Sequence, residues 1–267
     1  MKSEKANKPQ LFIHIGLQKT GSTSIQKFMR DNRSNFIDES LIVLPRFPDF
    51  PINNEQNLRI YWEKFEKNSI LFLEYITETD PSNSNKYFIS YEGYSGNYLD
   101  RSSIPQISKS LRKISEGFDT KIIIFLRRQD LFLESIYKQV VQEGGTILFG
   151  DFLKNFNYSS INWLNILNVF SKNFGKENII LRIFSRETLP QPNSLYNEFG
   201  KILGSKTLKS VNKVEKQNVS LNINELEFMS IINNYLSAEA VKFVRYILQN
   251  KKGRTTKFNN FLFNYQD

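Results

Sequence analysis

Four stretches of the chain, 11–16, 86–92, 121–127 and 178–184, are dense in Ile, Phe and Leu and show no clean polar alternation. Strands covered on both faces read this way, so each is expected to be a buried strand of a parallel sheet. A weaker fifth run, 41–44, is closed by Pro45. Between the runs the apolar positions change to helical spacing. Helices are predicted over 22–32, 55–78, 105–118, 130–143, 161–174, 193–203 and 222–249. Within 55–78 the apolar stripe is Leu58, Tyr61, Trp62, Phe65 and Leu73, and within 130–143 it is Leu133, Ile136, Tyr137 and Val140. Strands alternating with helices specify an α/β layered fold with a mostly parallel central sheet and helices on both faces.

Polar, turn-rich segments at 79–86 and 204–220 read as loops rather than linkers, and no internal repeat occurs. One domain over 1–267 is therefore expected, with 1–9 as a tail. At 267 residues, 40% hydrophobic, with 23 Phe and 12 Tyr, the chain has ample material for a core. The longest apolar run, 122–126, falls far below the roughly 20 residues of a membrane span. The polar start lacks a signal-peptide core, and the chain has no Cys, so a cytoplasmic location is expected. Without Cys and with one His, thiolate chemistry and multi-histidine metal sites are excluded.

The net charge of +9 sits at the two ends. Residues 1–30 carry six Lys/Arg against Glu4, and 205–267 carry ten against five acids, while the stretch between is neutral within one charge. Ends that meet in space would form one basic face for an anionic ligand; a merely basic surface is the other reading.

The most informative segment runs from Leu11 to Ile25: a strand, then Gly16-Leu17-Gln18-Lys19-Thr20-Gly21-Ser22-Thr23-Ser24, then a helix. Glycines permit close backbone approach, and a helix N-terminus offers unpaired N–H donors to a phosphate-like anion. A tight turn capped by Ser would use the same residues. Gly16 and Gly21 have the spacing of the P-loop G-x-x-x-x-G-K-[ST], but Ser22 follows where that motif has Lys. The lysine stands earlier, at Lys19, so the loop suits a phosphate but not a magnesium triphosphate.

Lys19-Thr20-Gly21-Ser22-Thr23-Ser24-Ile25 resembles the 5′-phosphosulfate loop of sulfotransferases, usually written PKTGTTSIQ, with Gln18 for Pro and Ser22 for Thr. A second match is 122–130, an apolar strand ending in Arg127-Arg128 and entering a helix that carries Ser135 eight residues after Arg127. Arginine at a strand's C-terminal edge faces the ligand crevice of open α/β sheets and grips phosphate with paired hydrogen bonds. The arrangement is similar to the family's 3′-phosphate motif, and LRRQDLFLESIYKQ resembles its bacterial carbohydrate-type branch. Weaker likeness continues through 180–187, 194–204 and Asn218–Leu221, and Lys251-Lys252-Gly253-Arg254 resembles a basic donor-binding loop.

The resemblance implies a P-loop NTPase-like, three-layer fold. It also implies a metal-independent sulfotransferase that uses 3′-phosphoadenosine 5′-phosphosulfate (PAPS) as co-substrate and a carbohydrate or glycolipid as acceptor. By the same resemblance Lys19 stabilises the bridging oxygen, Thr20, Gly21, Ser22, Thr23 and Ser24 hold the 5′-phosphate, and Arg127 with Ser135 holds the 3′-phosphate. Glu92, closing its strand at the same sheet edge, is the candidate general base. His14 is a second candidate, though its place within a strand sends its side chain toward sheet packing. Sugars stack on aromatic faces, but Trp62 and Phe65 at helical spacing read as core, whereas Tyr91, Tyr94 and Tyr98 stay open between core and acceptor contact. Segments 45–57, 93–103 and 144–160 are expected to shape the acceptor pocket. A kinase-like phosphotransferase, a nucleic-acid-binding protein using the basic ends, and a nucleotide binder without activity are the competing classes. Lysines without interleaved aromatics speak against nucleic acid.

Overall fold

The computed structural model describes residues 8–44, 85–212 and 221–250. The predicted helix 55–78 with Trp62 and Phe65, the 45–57 segment, 213–220 and the basic 251–254 run lie outside them. The chain divides into two compact units: Met1–Phe132 with Asn157–Val214, and Leu133–Phe156 with Glu215–Asp267.

The first unit is built on five parallel strands: β1 (Gln10–His14), β2 (Leu41–Val43), β3 (Lys86–Ser90), β4 (Asp119–Leu126) and β5 (Ile179–Ile183), in spatial order β2-β3-β1-β4-β5. The register pairs Phe12 with Phe88 and with Lys121, so β1 lies at the centre. All five apolar runs are strands, as their composition predicts, and the α/β class with a parallel central sheet holds.

Period-two alternation sends each strand's side chains to both faces. Phe12, Phe88, Ile123 and Phe125 join Ile25 and Met29 of α1 (Ser22–Asp31) and Leu195, Phe199 and Leu203 of α7 (Ser194–Leu203) in one core layer. The intervening residues Leu11, Ile13, Ile122 and Ile124 are buried on the other face. There α6 (Trp163–Phe174) packs on β4 and β5 and against α3 (Ile104–Ile114). Each fully buried Phe or Ile contributes about 1.5–3 kcal/mol, which is what makes near-continuous apolar strands worth forming here.

Two short helices follow their predecessors closely: α2 (Arg33–Ile37) after α1, and α8 (Lys206–Lys209) after α7. The latter falls where a loop was expected. Its first turn is capped by Ser205, whose Oγ accepts from the Leu208 N–H at 3.2 Å.

The second unit is helical. It contains most of α4 (Gln129–Gln142), then α5 (Phe149–Asn155), α9 (Ile223–Ile232) and α10 (Ala238–Asn250). The 144–160 stretch holds α5, where Phe149 and Phe152 pack on Tyr137 and Phe156 packs on Phe152 in one aromatic cluster. The single helix expected over 222–249 is two, broken after Ile232. The Asn233 side chain donates to the carbonyls of Val141 at 2.9 Å and Gly145 at 2.8 Å, which fixes a turn at 233–237. No helix among the described residues is long and apolar enough to cross a membrane.

Candidate active site

The site grows from the C-terminal end of the central strand. β1 stops at His14, and the chain turns through Gly16 (φ 76°), Lys19 (φ 67°) and Gly21 (φ 80°) before α1 begins. Positive φ is cheap for the two glycines but costs a lysine on the order of 1 kcal/mol, so the surroundings must hold Lys19 there. They do so from two sides. Inside the loop, the Thr20 hydroxyl donates to the Leu17 carbonyl at 2.7 Å. From β4, Arg127 Nη1 donates to the Lys19 carbonyl at 2.9 Å.

Neither glycine tolerates a side chain. A Cβ on Gly16 would stand 2.9 Å from the Glu92 Cα, and one on Gly21 would stand 2.6 Å from Leu195 Cδ2. The first clash records how closely the end of β3 presses on the loop, and it brings Glu92 to the loop as its place at the sheet edge predicts.

α1 opens without a side-chain cap and with no acid in its first turn. Ser22, its first residue, is 3% exposed and its Oγ has no hydrogen-bond partner. The first N–H groups and the dipole of such a helix point the same way, so this N-terminus offers donors rather than acceptors. Thr23 is exposed and Ser24 half-buried, whereas Thr20 is buried with its hydroxyl committed to the loop itself.

Glu92 opens a 3₁₀ turn, Glu92–Ser95, in which Ser95 Oγ donates to its carbonyl at 2.8 Å. Its carboxylate accepts from Gln26 Nε2 of α1 at 3.1 Å. The same nitrogen lies 3.1 Å from Ser90 Oγ, and Ser90 Oγ lies 2.7 Å from His14 Nδ1. Glu92 thus stands at the outer end of a hydrogen-bonded file that ends on the histidine.

His14 occupies the inner end. It is 1% exposed, with Phe88 stacked on it at 6.5 Å and the edges of Phe125 and Phe199 at 6.0 and 5.0 Å. Burial pulls its pKa down to about 3, leaving a neutral ring that is a weak proton acceptor. The strand position does send it into the core, and it has no part in the reaction proposed below.

The two strand-end arginines divide. Arg128 is exposed and forms a bidentate pair with Asp130 at 2.7 and 2.6 Å, an ordinary solvated pairing that holds the Asp130 carboxyl down at about 2. Arg127 turns to the loop, with its guanidinium 6.0 Å above the Phe184 ring. Ser135 is half-buried on α4, in the part that belongs to the second unit.

Sequence reading missed three participants. Gln26 carried no chemical signal of its own, although it ends the family's written motif. Trp163 donates Nε1 to the Arg127 carbonyl at 2.9 Å. Arg101 donates Nη2 to Gln18 Oε1 at 3.3 Å and stacks 5.6 Å above Trp163. Two arginines therefore brace the loop, with Trp163 touching both. Of the aromatics considered, Tyr94 is fully buried with its ring edge-on to Tyr91 at 5.2 Å, a packing contact.

No family model matches the sequence. A protein described as uncharacterized from Archaeoglobus fulgidus is 35% identical over 74 residues, 28% of this chain and 20% of its own length. The chain thus spans about a fifth of that relative. Three solved structures are similar in part. A sulfotransferase from Alicyclobacillus acidocaldarius has a TM-score of 0.45 at 14% identity, covering 87% of this chain and 95% of that one. A gluconokinase from Sinorhizobium meliloti 1021 has a TM-score of 0.31 at 10% identity, covering 89% and 98%. A retinol dehydratase in complex with androsterone and the inactive cofactor PAP has a TM-score of 0.34 at 12% identity, covering 94% and 75%.

Proposed function

We propose that the protein is a PAPS-dependent sulfotransferase acting on a hydroxyl or amine of a carbohydrate-like acceptor. The observation that carries the reading is the meeting, across Gly16, of a carboxylate on β3's end with a loop that combines Lys19, an uncapped helix and an unsatisfied Ser22 hydroxyl. Such a loop suits the 5′-phosphate of the donor, and the carboxylate suits the acceptor's proton.

In this reading the first N–H groups of α1 and the Ser22 hydroxyl hold the 5′-phosphate. Arg127 supplies cationic charge beside the loop, and the resemblance assigns it to the 3′-phosphate. Glu92, held by Gln26, takes the acceptor's proton as the acceptor oxygen or nitrogen bonds to sulfur. The sulfur–oxygen bridge breaks in line, and the bridging oxygen leaves on the 5′-phosphate with its new charge stabilised by Lys19. A sulfuryl group carries less negative charge than a γ-phosphoryl, so lysine and backbone donors suffice where a P-loop phosphotransferase uses magnesium. Ser135 is assigned to the nucleotide by the resemblance alone.

The test is calorimetric titration of 3′-phosphoadenosine 5′-phosphate (PAP) into the protein without magnesium. Micromolar binding that collapses in Arg127→Ala is expected, followed by sulfate transfer from labelled PAPS to a panel of sugars. Folded protein that ignores PAP but binds ADP with magnesium would replace this reading with the phosphotransferase one.

A further inference from the structure

A second site opens beside the loop, within the first unit. A cleft of about 440 Å³ lies between the start of α3 and the start of α6, lined by Arg101, Ser160, Asn162, Asn165, Ile104 and Ile166 among others. That volume falls in the range of about 300–1,000 Å³ typical of small-ligand pockets.

Arg101 is the unusual member. Its Nε donates to the Ser160 carbonyl at 2.6 Å, Nη1 to the Ser95 carbonyl and Nη2 to Gln18 Oε1. All three acceptors are neutral, and it makes no ion pair among the described residues. Burial lowers its pKa to about 10 with no anion to oppose the effect. A guanidinium has five N–H donors, so two remain after these three bonds. A partly desolvated cation without a counter-charge is costly, and an anionic ligand is what relieves it.

Ser160 adds an independent sign. It lines this cleft, is 1% exposed, and its Oγ is buried without a hydrogen-bond partner. Native structures rarely leave such a group unsatisfied. The Asn162 side-chain oxygen caps α6 by accepting from the Asn165 N–H, and both residues line the cleft. Opposite them, Ile104 and Ile166 give an apolar wall. Asp100 also lines the cleft; its carboxylate accepts from the Ser102 N–H and hydroxyl, both at 2.9 Å. One cation, one exposed carboxylate and several uncharged directional groups do not suit a highly charged ligand.

We propose that this cleft binds a polyhydroxylated carboxylate of the sugar-acid type. Its carboxylate lies on the two remaining Arg101 N–H groups, and its hydroxyls lie on Ser160, Asn162, Asn165 and Asp100. Its C–H face rests on Ile104 and Ile166. Because Arg101 also donates to Gln18 of the Gly16–Gly21 loop, the ligand shares its guanidinium with that loop. As the acceptor site this rests on the sulfotransferase reading; as a binding site it does not.

The test uses the full chain without nucleotide. D-glucuronate, D-glucose and inorganic phosphate are each titrated by NMR and calorimetry, and PAP is titrated separately. Saturable glucuronate binding is expected, with D-glucose at least about 10-fold weaker for loss of a charged hydrogen-bond pair. Ser160→Ala and Asn165→Ala, which leave the Arg101 clamp intact, are each expected to weaken glucuronate about 2- to 10-fold while PAP affinity stays unchanged. Arg101→Lys is expected to lose the preference for glucuronate over glucose. The proposal is overturned if folded protein shows no saturable glucuronate binding. It is equally overturned if glucose binds as well, if phosphate binds alone and more tightly, or if the Ser160 and Asn165 variants bind unchanged. Glucuronate binding without PAP binding would retain the cleft and remove the sulfotransferase reading; the converse would do the reverse.

Discussion

Arg127, the residue after β4, and Lys19 on the β1–α1 loop are joined by a 2.9 Å hydrogen bond from a guanidinium nitrogen to a backbone carbonyl. The bond ties a charged side chain at one strand's end to the one loop residue, other than glycine, with positive φ. Trp163 fixes the Arg127 backbone from α6 through its own 2.9 Å bond. The loop's shape is therefore set by tertiary contacts as well as by its glycines.

Arg127→Ala should act twice. Loss of charged hydrogen bonding to the nucleotide predicts about 10- to 100-fold weaker PAP binding. Release of the Lys19 carbonyl predicts a stability loss of about 1 kcal/mol. Arg127→Lys should keep part of the charge and recover only a fraction of the affinity, since an ammonium cannot make the same paired contact. Calorimetry and urea unfolding measure the two effects separately.

Glu92 and Gln26 are predicted to separate chemistry from nucleotide binding. Glu92→Gln should lower kcat by about 10²- to 10⁴-fold with PAP affinity little changed, the range for loss of a general base. Gln26→Ala keeps the carboxylate but frees its orientation, and should lower kcat by about 10-fold. Equal loss of PAP affinity in Glu92→Gln would place Glu92 in nucleotide binding instead.

His14 predicts an acid limb of stability. Its folded pKa of about 3 lies below the 6.5 of an unfolded histidine. Below pH 6.5 the unfolded chain binds the proton that the folded chain refuses. The stabilisation is fully present above that pH and falls by up to about 1.4 kcal/mol per pH unit as pH drops toward 3. His14→Phe, an aromatic for an aromatic box, should flatten the slope between pH 6 and 4. An unchanged slope in chemical denaturation would assign the acid limb to other groups.

Gly21→Ala should destabilise by about 1–3 kcal/mol, from positive φ and from overpacking against Leu195. Adding Leu195→Ala should not restore it fully, because the backbone conformation remains strained. Thermal unfolding of the two variants, alone and combined, checks this.

The fold was legible because its signals are local. Strands buried on both faces must be apolar throughout, and each of the five runs named from composition became a strand. The loop was legible for the same reason: glycines at a fixed spacing, between a strand and a helix, have few other uses. The signal failed where stability came from distant partners. The sequence assigns no element within 144–160, and α5 stands there with Phe149 and Phe152 against Tyr137. The break after Ile232 depends on one asparagine reaching carbonyls about ninety residues away in sequence.

The site divides along the same line. By itself the sequence determined a parallel α/β sheet, a glycine-bearing loop carrying Lys19 between its first strand and first helix, and a pair of arginines at the end of another strand. Only the tertiary structure decided that Arg127 turns to the loop while Arg128 pairs with Asp130. The sequence placed Glu92 at the loop's edge of the sheet and His14 in the packing, but only the structure gave Glu92 its bond from Gln26, named the rings around His14 and set Arg101 beside a cleft. The physical reason is range. Composition and spacing report what a segment does with its own neighbours, whereas the direction of a side chain depends on which strands lie side by side and in what register.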